Sequence, residues 1–131
     1  MVLGWYAIGY DLCYDGWDAA SRERFGRAIA EYHDSYERKR SDKVITLETL
    51  ARGSMPPKSN HFGMQVGGAS LALLALRAEP WCNAEKIEKL LAIARNSMIR
   101  NLKEGFGDGG FFPEGDGTGS MSSHIVFLTA L

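Results

Sequence analysis

Two stretches of this chain are apolar almost all the way round a helical wheel, and each is followed by a stretch that is apolar on one side only. The first, VLGWYAIGYDLC at residues 2–13, has almost no polar break, as a buried helix reads. A strand is the alternative, but the length favours helix. Asp15-Gly16 marks a turn, and Asp18 can cap a second helix running to about Arg38. Phe25, Ala28, Ile29 and Tyr32 fall on one stripe of that helix, opposite Arg22, Glu23, Arg27, Glu31 and Asp34. The second all-round apolar stretch is FGMQVGGASLALLALRAE at residues 62–79. Its Gly67, Gly68, Ala69 and Ser70 are small enough for another helix to come close. Pro80 stops it, and Asn83 can cap a fourth segment ending near Glu104-Gly105, with Ile87, Leu90, Leu91, Ala94, Met98 and Leu102 as its stripe. A last apolar run, HIVFLTAL, follows Ser120, Ser122 and Ser123, any of which can cap it. Residues 39–61 are less regular, and KVITLETLA reads equally as a short helix or a strand.

The order is thus buried, one-sided, buried, one-sided, buried. A plain four-helix bundle gives every helix one wet face. The alternation predicts an all-α fold of alternating inner and outer helical hairpins, part of an incomplete α/α toroid. An irregular all-α domain is the other solution. At 131 residues the chain is expected to form a single helical domain, a fragment of a larger toroid. Because it starts and stops inside apolar helices, a homo-oligomer or a missing remainder of the chain is also expected.

The same alternation predicts where chemistry sits. The long links, Lys39 to Asn60 and Phe106 to Gly119, both precede inner helices and so belong at one end of the array. Long loops on a rigid scaffold are the usual seat of function. Asn60-His61 enters a buried helix. Its functional reading is an amide donor beside an imidazole able to move a proton near neutral pH, and its plain reading is a helix cap and a first-turn residue. Of the chain's 15 glycines, seven crowd the stretch from Gly105 to Gly119, which cannot be regular helix. That stretch also carries Asp108, Glu114 and Asp116. The three carboxylates suit an acid–base pair or a cation, but their spacing is not that of an EF-hand, and Asp-Gly pairs also favour tight turns or a small hairpin. Trp5, Tyr6, Phe111 and Phe112 belong near the same rim, where sugar rings stack on aromatic faces. Core packing is the commoner fate of such rings and is expected for Trp5. Tyr6 lies near the amino end of its helix, so its hydroxyl is expected at the cleft, and His124 opens the last inner helix. His33 reads as a solvated surface residue, and Cys13 and Cys82 as small buried apolar residues.

Several classes of function are excluded or receive no signal. Lys plus Arg is 15 and Asp plus Glu is 16, a net charge of -1, which does not suit a generally basic nucleic-acid binder or a polybasic membrane-surface protein. No apolar run approaches the length needed to span a bilayer. Two cysteines make neither a disulfide framework nor a metal-ligand pattern. GFGDGG and GDGTGS lack the strand-then-helix setting and the Lys of a phosphate loop. No metal or cofactor is implied, and no signal-peptide pattern is visible.

Three stretches, AIGYDLCYD, NHFGMQVGGASLALLAL and GFGDGGFFPEGDGTGS, together resemble the helical domain of heparinase II/III-like proteins. The Asn-His pair and the GDGGFFPEGDG loop carry most of the likeness. The resemblance implies a polysaccharide lyase with an α/α toroid domain, cleaving uronic-acid glycans by β-elimination, so that the partner is an acidic polysaccharide or oligosaccharide. It also implies a periplasmic or secreted protein. Such chemistry needs a donor to neutralise the uronate carboxylate, a base to take the C5 proton and an acid to protonate the leaving oxygen. By resemblance Asn60 matches the carboxylate-neutralising Asn, and His61 is its neighbour and assists proton transfer. The family's catalytic Tyr is expected where this chain has Thr118, whose hydroxyl is a far weaker acid than a phenol. Tyr6 or His124 then takes that role, or the activity is lost. Asp108, Phe112, Glu114, Asp116, Thr118 and His124 are the expected substrate contacts. A toroid glycoside hydrolase using the loop carboxylates, and a non-catalytic carbohydrate-binding or scaffold domain, are the alternatives.

Overall fold

The computed structural model describes residues 3–33 and 44–115 of the chain. Every regular element among them is helical: α1 (Leu3–Leu12), α2 (Ala19–Ala30), α3 (Leu47–Arg52), α4 (Asn60–Leu76) and α5 (Ala84–Glu104), with short 3-10 turns at Tyr14–Gly16 and Asp108–Gly110. The described part of the chain is all-α, with one isolated antiparallel bridge between His33 and Thr46.

Local chemistry explains most boundaries. The Asp18 carboxylate accepts from the Ser21 N–H at 2.8 Å and starts α2, and the same hydrogen bond holds its carboxyl below the usual carboxylate range. Asn83 starts α5 by accepting from the Lys86 N–H at 2.9 Å. Thr46 caps α3, which settles KVITLETLA as a short helix over Leu47–Arg52. α2 ends at Ala30, well short of Arg38, because the backbone at His33 pairs with Thr46 instead of continuing the coil.

α4 is the axis of the packing. Phe62, Val66, Ala69, Ala72, Leu73 and Leu76 are buried along it, and so are Gly67, Gly68 and Ser70. α1 runs beside it in the same direction. Gly4 lies opposite Gly68, and further along Ile8 and Leu12 share a small groove with Leu71 and Ala75. The approach is close because both helices have glycine at the crossing: a Cβ on Gly68 would sit 3.2 Å from the Gly4 nitrogen. α5 runs back along α4, with Arg77 paired to Glu88 at one end and Ser70 touching Met98 further on. α3 packs into the angle between α4 and α5, burying Leu47, Leu50 and Ala51.

α1 departs from the expectation of all-round burial. Leu3, Ala7 and Tyr10 form the one buried stripe, at spacings of four and three, while Leu12 is exposed and Trp5 is 62% exposed. Only the sides of α1 that meet α4 and α2 are covered, and Trp5 falls on neither. Cys13 is likewise exposed rather than buried, and Cys82 is half-buried.

An aromatic cluster fixes α2 on α1. Phe25 lies edge-on to Tyr10 with ring centroids 5.8 Å apart and packs on Trp17 at 5.4 Å. The fully buried Tyr10 hydroxyl donates to the buried Glu79 carboxylate at 2.6 Å. Burial, then that hydrogen bond and the neighbouring charge, raise the Tyr10 phenol above its ordinary value of 10.0.

Two stability measurements check this packing. Gly68→Leu is expected to lose about 1–3 kcal/mol in urea unfolding, because the added side chain has no room against the α1 backbone. Gly9→Ala, where a Cβ meets nothing within 4 Å, is expected to gain up to ~1 kcal/mol from helix propensity. Tyr10 gives a pH dependence of known sign. Its phenol is raised in the fold, so its contribution is complete below the unfolded value near 10.0 and fades as pH rises beyond it. Unfolding free energy followed from pH 8 upward is expected to fall above about pH 10, and to fall less steeply in Tyr10→Phe.

Candidate functional site

The site is built where α4 begins and α5 ends. Ser59 is the cap of α4, accepting from the His61 N–H at 3.3 Å, so Asn60 is the first residue inside the helix rather than its cap. The next free donor at this helix start is the Asn60 N–H, and it donates to the Glu114 carboxylate at 2.8 Å. A carboxylate is favoured at that position because the exposed N–H groups of a helix start carry partial positive charge. The two long links expected to share a rim therefore meet there, through Asn60 and Glu114.

Buried side chains of α5 hold the two loops in place. The Ser97 hydroxyl donates to the Arg52 carbonyl at 3.2 Å, and one turn later the Asn101 amide donates to the Pro57 carbonyl at 2.9 Å. These bonds fasten the end of α3 and the loop at residues 53–59 to α5. Gly53, at φ 71°, lets that loop leave α3 directly over the Phe62 ring. The glycine-rich loop then turns back on itself. The Gly107 N–H donates to the Phe111 carbonyl at 2.8 Å, and the Gly115 N–H to Phe112 at 3.0 Å. It forms a tight loop with a 3-10 turn, with Gly109 and Gly110 in the left-handed region.

The aromatic pair in this loop divides. Phe112 is only 6% exposed and packs edge-on against Phe106 at 5.3 Å, as part of the core. Phe111 is 59% exposed, so it is the ring this loop offers for stacking. Tyr6 does not join Asn60. The crossing of Gly4 with Gly68 starts α1 about 12 Å along the axis from the beginning of α4, eight residues at ~1.5 Å each. Tyr6 leans edge-on toward Phe25 of α2 instead. His61 is exposed on the first turn of α4. Asp116, Thr118 and His124 lie outside the described residues, as does the side chain of Asp108.

Asn60 is only 8% exposed, yet among the described residues its side-chain oxygen has no hydrogen-bond partner, and neither does that of Asn101. A buried polar atom without a partner costs about 1–3 kcal/mol. A half-turn of the Asn60 amide exchanges its oxygen for its nitrogen, so the same atom position can present an acceptor or a donor. Two cations lie beside this helix start, one of them, Arg100, also paired with Glu104 at 3.6 Å. Arg100 lies over the Phe62 ring at 5.1 Å, and Lys58 is exposed in the adjoining loop.

Ser97, Asn101 and Arg100 were not among the expected site residues. A signal for the first two was present: Leu90, Ala94, Ser97 and Asn101 recur at spacings of four, three and four, so two polar residues continue a core stripe. Among the described residues no group of three or more His, Cys, Asp or Glu is placed to hold a metal ion, and no helix is long and apolar enough to cross a membrane. Comparison with known proteins gives no match: no family model, curated protein or solved structure shows significant similarity to this chain.

Removing the Glu114 carboxylate tests how much the loop depends on this helix start. Glu114→Ala is expected to lose about 0.5–1 kcal/mol in chemical denaturation. Hydrogen exchange is expected to quicken in residues 105–115 and at the first turn of α4, and to stay unchanged in α2.

Proposed function

We propose that this domain is a polysaccharide lyase-like unit, a segment of an α/α toroid that takes uronic-acid glycans at the amino end of α4. The parallel α1 and α4, with α5 running back along α4, support the alternating arrangement of inner and outer helices. The hydrogen bond from the Asn60 N–H to the Glu114 carboxylate carries the functional reading, because it marks this helix start as a place that receives a carboxylate. A uronate carboxylate has the same charge and the same oxygen geometry. In this reading it takes the Asn60 donors in place of Glu114, with Arg100 and Lys58 adding positive charge. Withdrawing charge from that carboxylate acidifies the C5 proton of the sugar, the first requirement of β-elimination. His61, exposed one residue further on, is the nearest imidazole among the described residues for proton transfer.

Thr118 favours a second reading, a carbohydrate-binding unit without turnover. In that case the Asn60 site holds acidic glycan, but no phenol stands at the family's tyrosine position. One assay separates the two. The protein is incubated with a panel of uronate glycans while the unsaturated product is followed by ultraviolet absorbance, and binding of the same glycans is measured by calorimetry. The lyase reading expects product, with at least a hundredfold loss in Asn60→Ala, about 2.7 kcal/mol of transition-state stabilisation. Binding that Asn60→Ala weakens, without product, supports the second reading. Undiminished turnover or binding in Asn60→Ala overturns the assignment of the site.

A further inference from the structure

α4 lies between α1 and α5, and Leu74 borders a groove with each of them. On the α1 side Ile8 and Leu12 line the groove, and Trp5, three and seven residues before them, shares their side of the helix. On the α5 side Leu91, Met98 and Ile99 line a second, open groove. Trp5, Leu12, Leu74 and Ile99 are all exposed, Leu12 at 78%. Single exposed apolar residues are ordinary on a protein surface, but these join into one apolar face that crosses α1, α4 and α5. Its charges are few. Arg77 and Glu88 neutralise each other at 2.6 Å. Among the lining residues that leaves Asp11 at the α1 edge and Arg95 at the α5 edge, neither in an ion pair among the described residues.

We infer that this face is the interface of a symmetric homodimer, with the twofold axis running along α4 beside Leu74. Charge complementarity selects a second copy of this chain. A twofold axis parallel to α4 lays the α1 edge of each copy over the α5 edge of the other, and keeps every residue at its own level along the axis. The levels follow from contacts within one copy. Gly4 opposite Gly68 puts Trp5 level with Ala69 and Asp11 level with Ala75. Met98 at Ser70 and Glu88 at Arg77 put Ile99 level with Ala69 and Arg95 near Ala72. Asp11 and the facing Arg95 are thus offset by about three residues, ~5 Å at 1.5 Å each, which an arginine side chain spans. The pair forms twice, once at each edge. In the same register Trp5 meets Ile99, and the two Leu74 side chains meet at the axis. An axis running across the helices at Leu74 would instead set Asp11 against Asp11 and Arg95 against Arg95, and like charges disfavour it. This pairing requires no glycan chemistry at Asn60, and its test reads association alone.

The test uses the full chain, followed by sedimentation velocity over a wide range of concentration. A monomer–dimer equilibrium is expected. Asp11→Arg and Arg95→Asp are each expected to weaken it about tenfold, because like charges then face each other at both edges. Mixed together, the two variants are expected to pair with each other, since opposite charges then meet at both edges. The double variant Asp11→Arg/Arg95→Asp is expected to recover the homodimer for the same reason. Leu74→Cys in a Cys13→Ser, Cys82→Ser background is expected to form a disulfide between copies under mild oxidation. Asp11, Leu74 and Arg95 are exposed, so their variants keep the fold, as circular dichroism checks. A monomer at every concentration overturns the inference. So does a dimer indifferent to both charge variants, a failure of the mixed variants to pair, or a dimer in which Leu74→Cys gives no crosslink.

Discussion

The close approach of two backbones, Gly4 of α1 against Gly68 of α4, is the constraint on which the rest of this structure depends. Neither helix carries a side chain at the crossing, so the two run side by side with their backbones close together. That crossing sets the register. It leaves the first two turns of α4 extending past the start of α1, so that among the described residues the Asn60 end is built by loops and α5. Phe62, Val66 and Leu73 fill the space around α4, and dense apolar packing of this kind tolerates little change in volume.

At the Asn60 end the energetics change character. Beside the buried Phe62 and Phe112 rings, single directed hydrogen bonds join the elements: Ser97 to Arg52, Asn101 to Pro57, and the Asn60 N–H to Glu114. Each links elements far apart in sequence. Each is worth about 0.5–1.5 kcal/mol. A region held in this way can exchange one partner for another without disturbing the α1–α4 contact. Two buried amide oxygens with no partner among the described residues, at Asn60 and Asn101, lie in this same region.

Much of the helical framework was legible because local chemistry and packing agree there. Asp18 and Asn83 cap the helices their sequence positions suggest, and the Ile87–Leu90–Ala94 stripe of α5 faces inward as its spacing requires. The meeting of Asn60 with the glycine-rich loop followed from counting long and short links. Other features were not legible. Trp5 and Tyr6 read as part of an all-round apolar helix, but hydropathy does not say how many sides of a helix have neighbours. The α2 stripe continues past Ala30 in the sequence, yet the His33–Thr46 pairing ends the helix there. Phe111 and Phe112 are adjacent and chemically identical, and only the Phe106 ring decides which of them is buried.

The sequence by itself determined the helical class, the caps at Asp18 and Asn83 and the presence of two nearly all-apolar segments, because capping and periodicity act over three or four residues and are written locally. The tertiary structure decided which face of α1 stays wet, how far Tyr6 stands from Asn60, and which carboxylate of the glycine-rich loop meets the start of α4. Those outcomes depend on the register between helices, which is set by steric contact between residues more than sixty positions apart, and no local pattern encodes it.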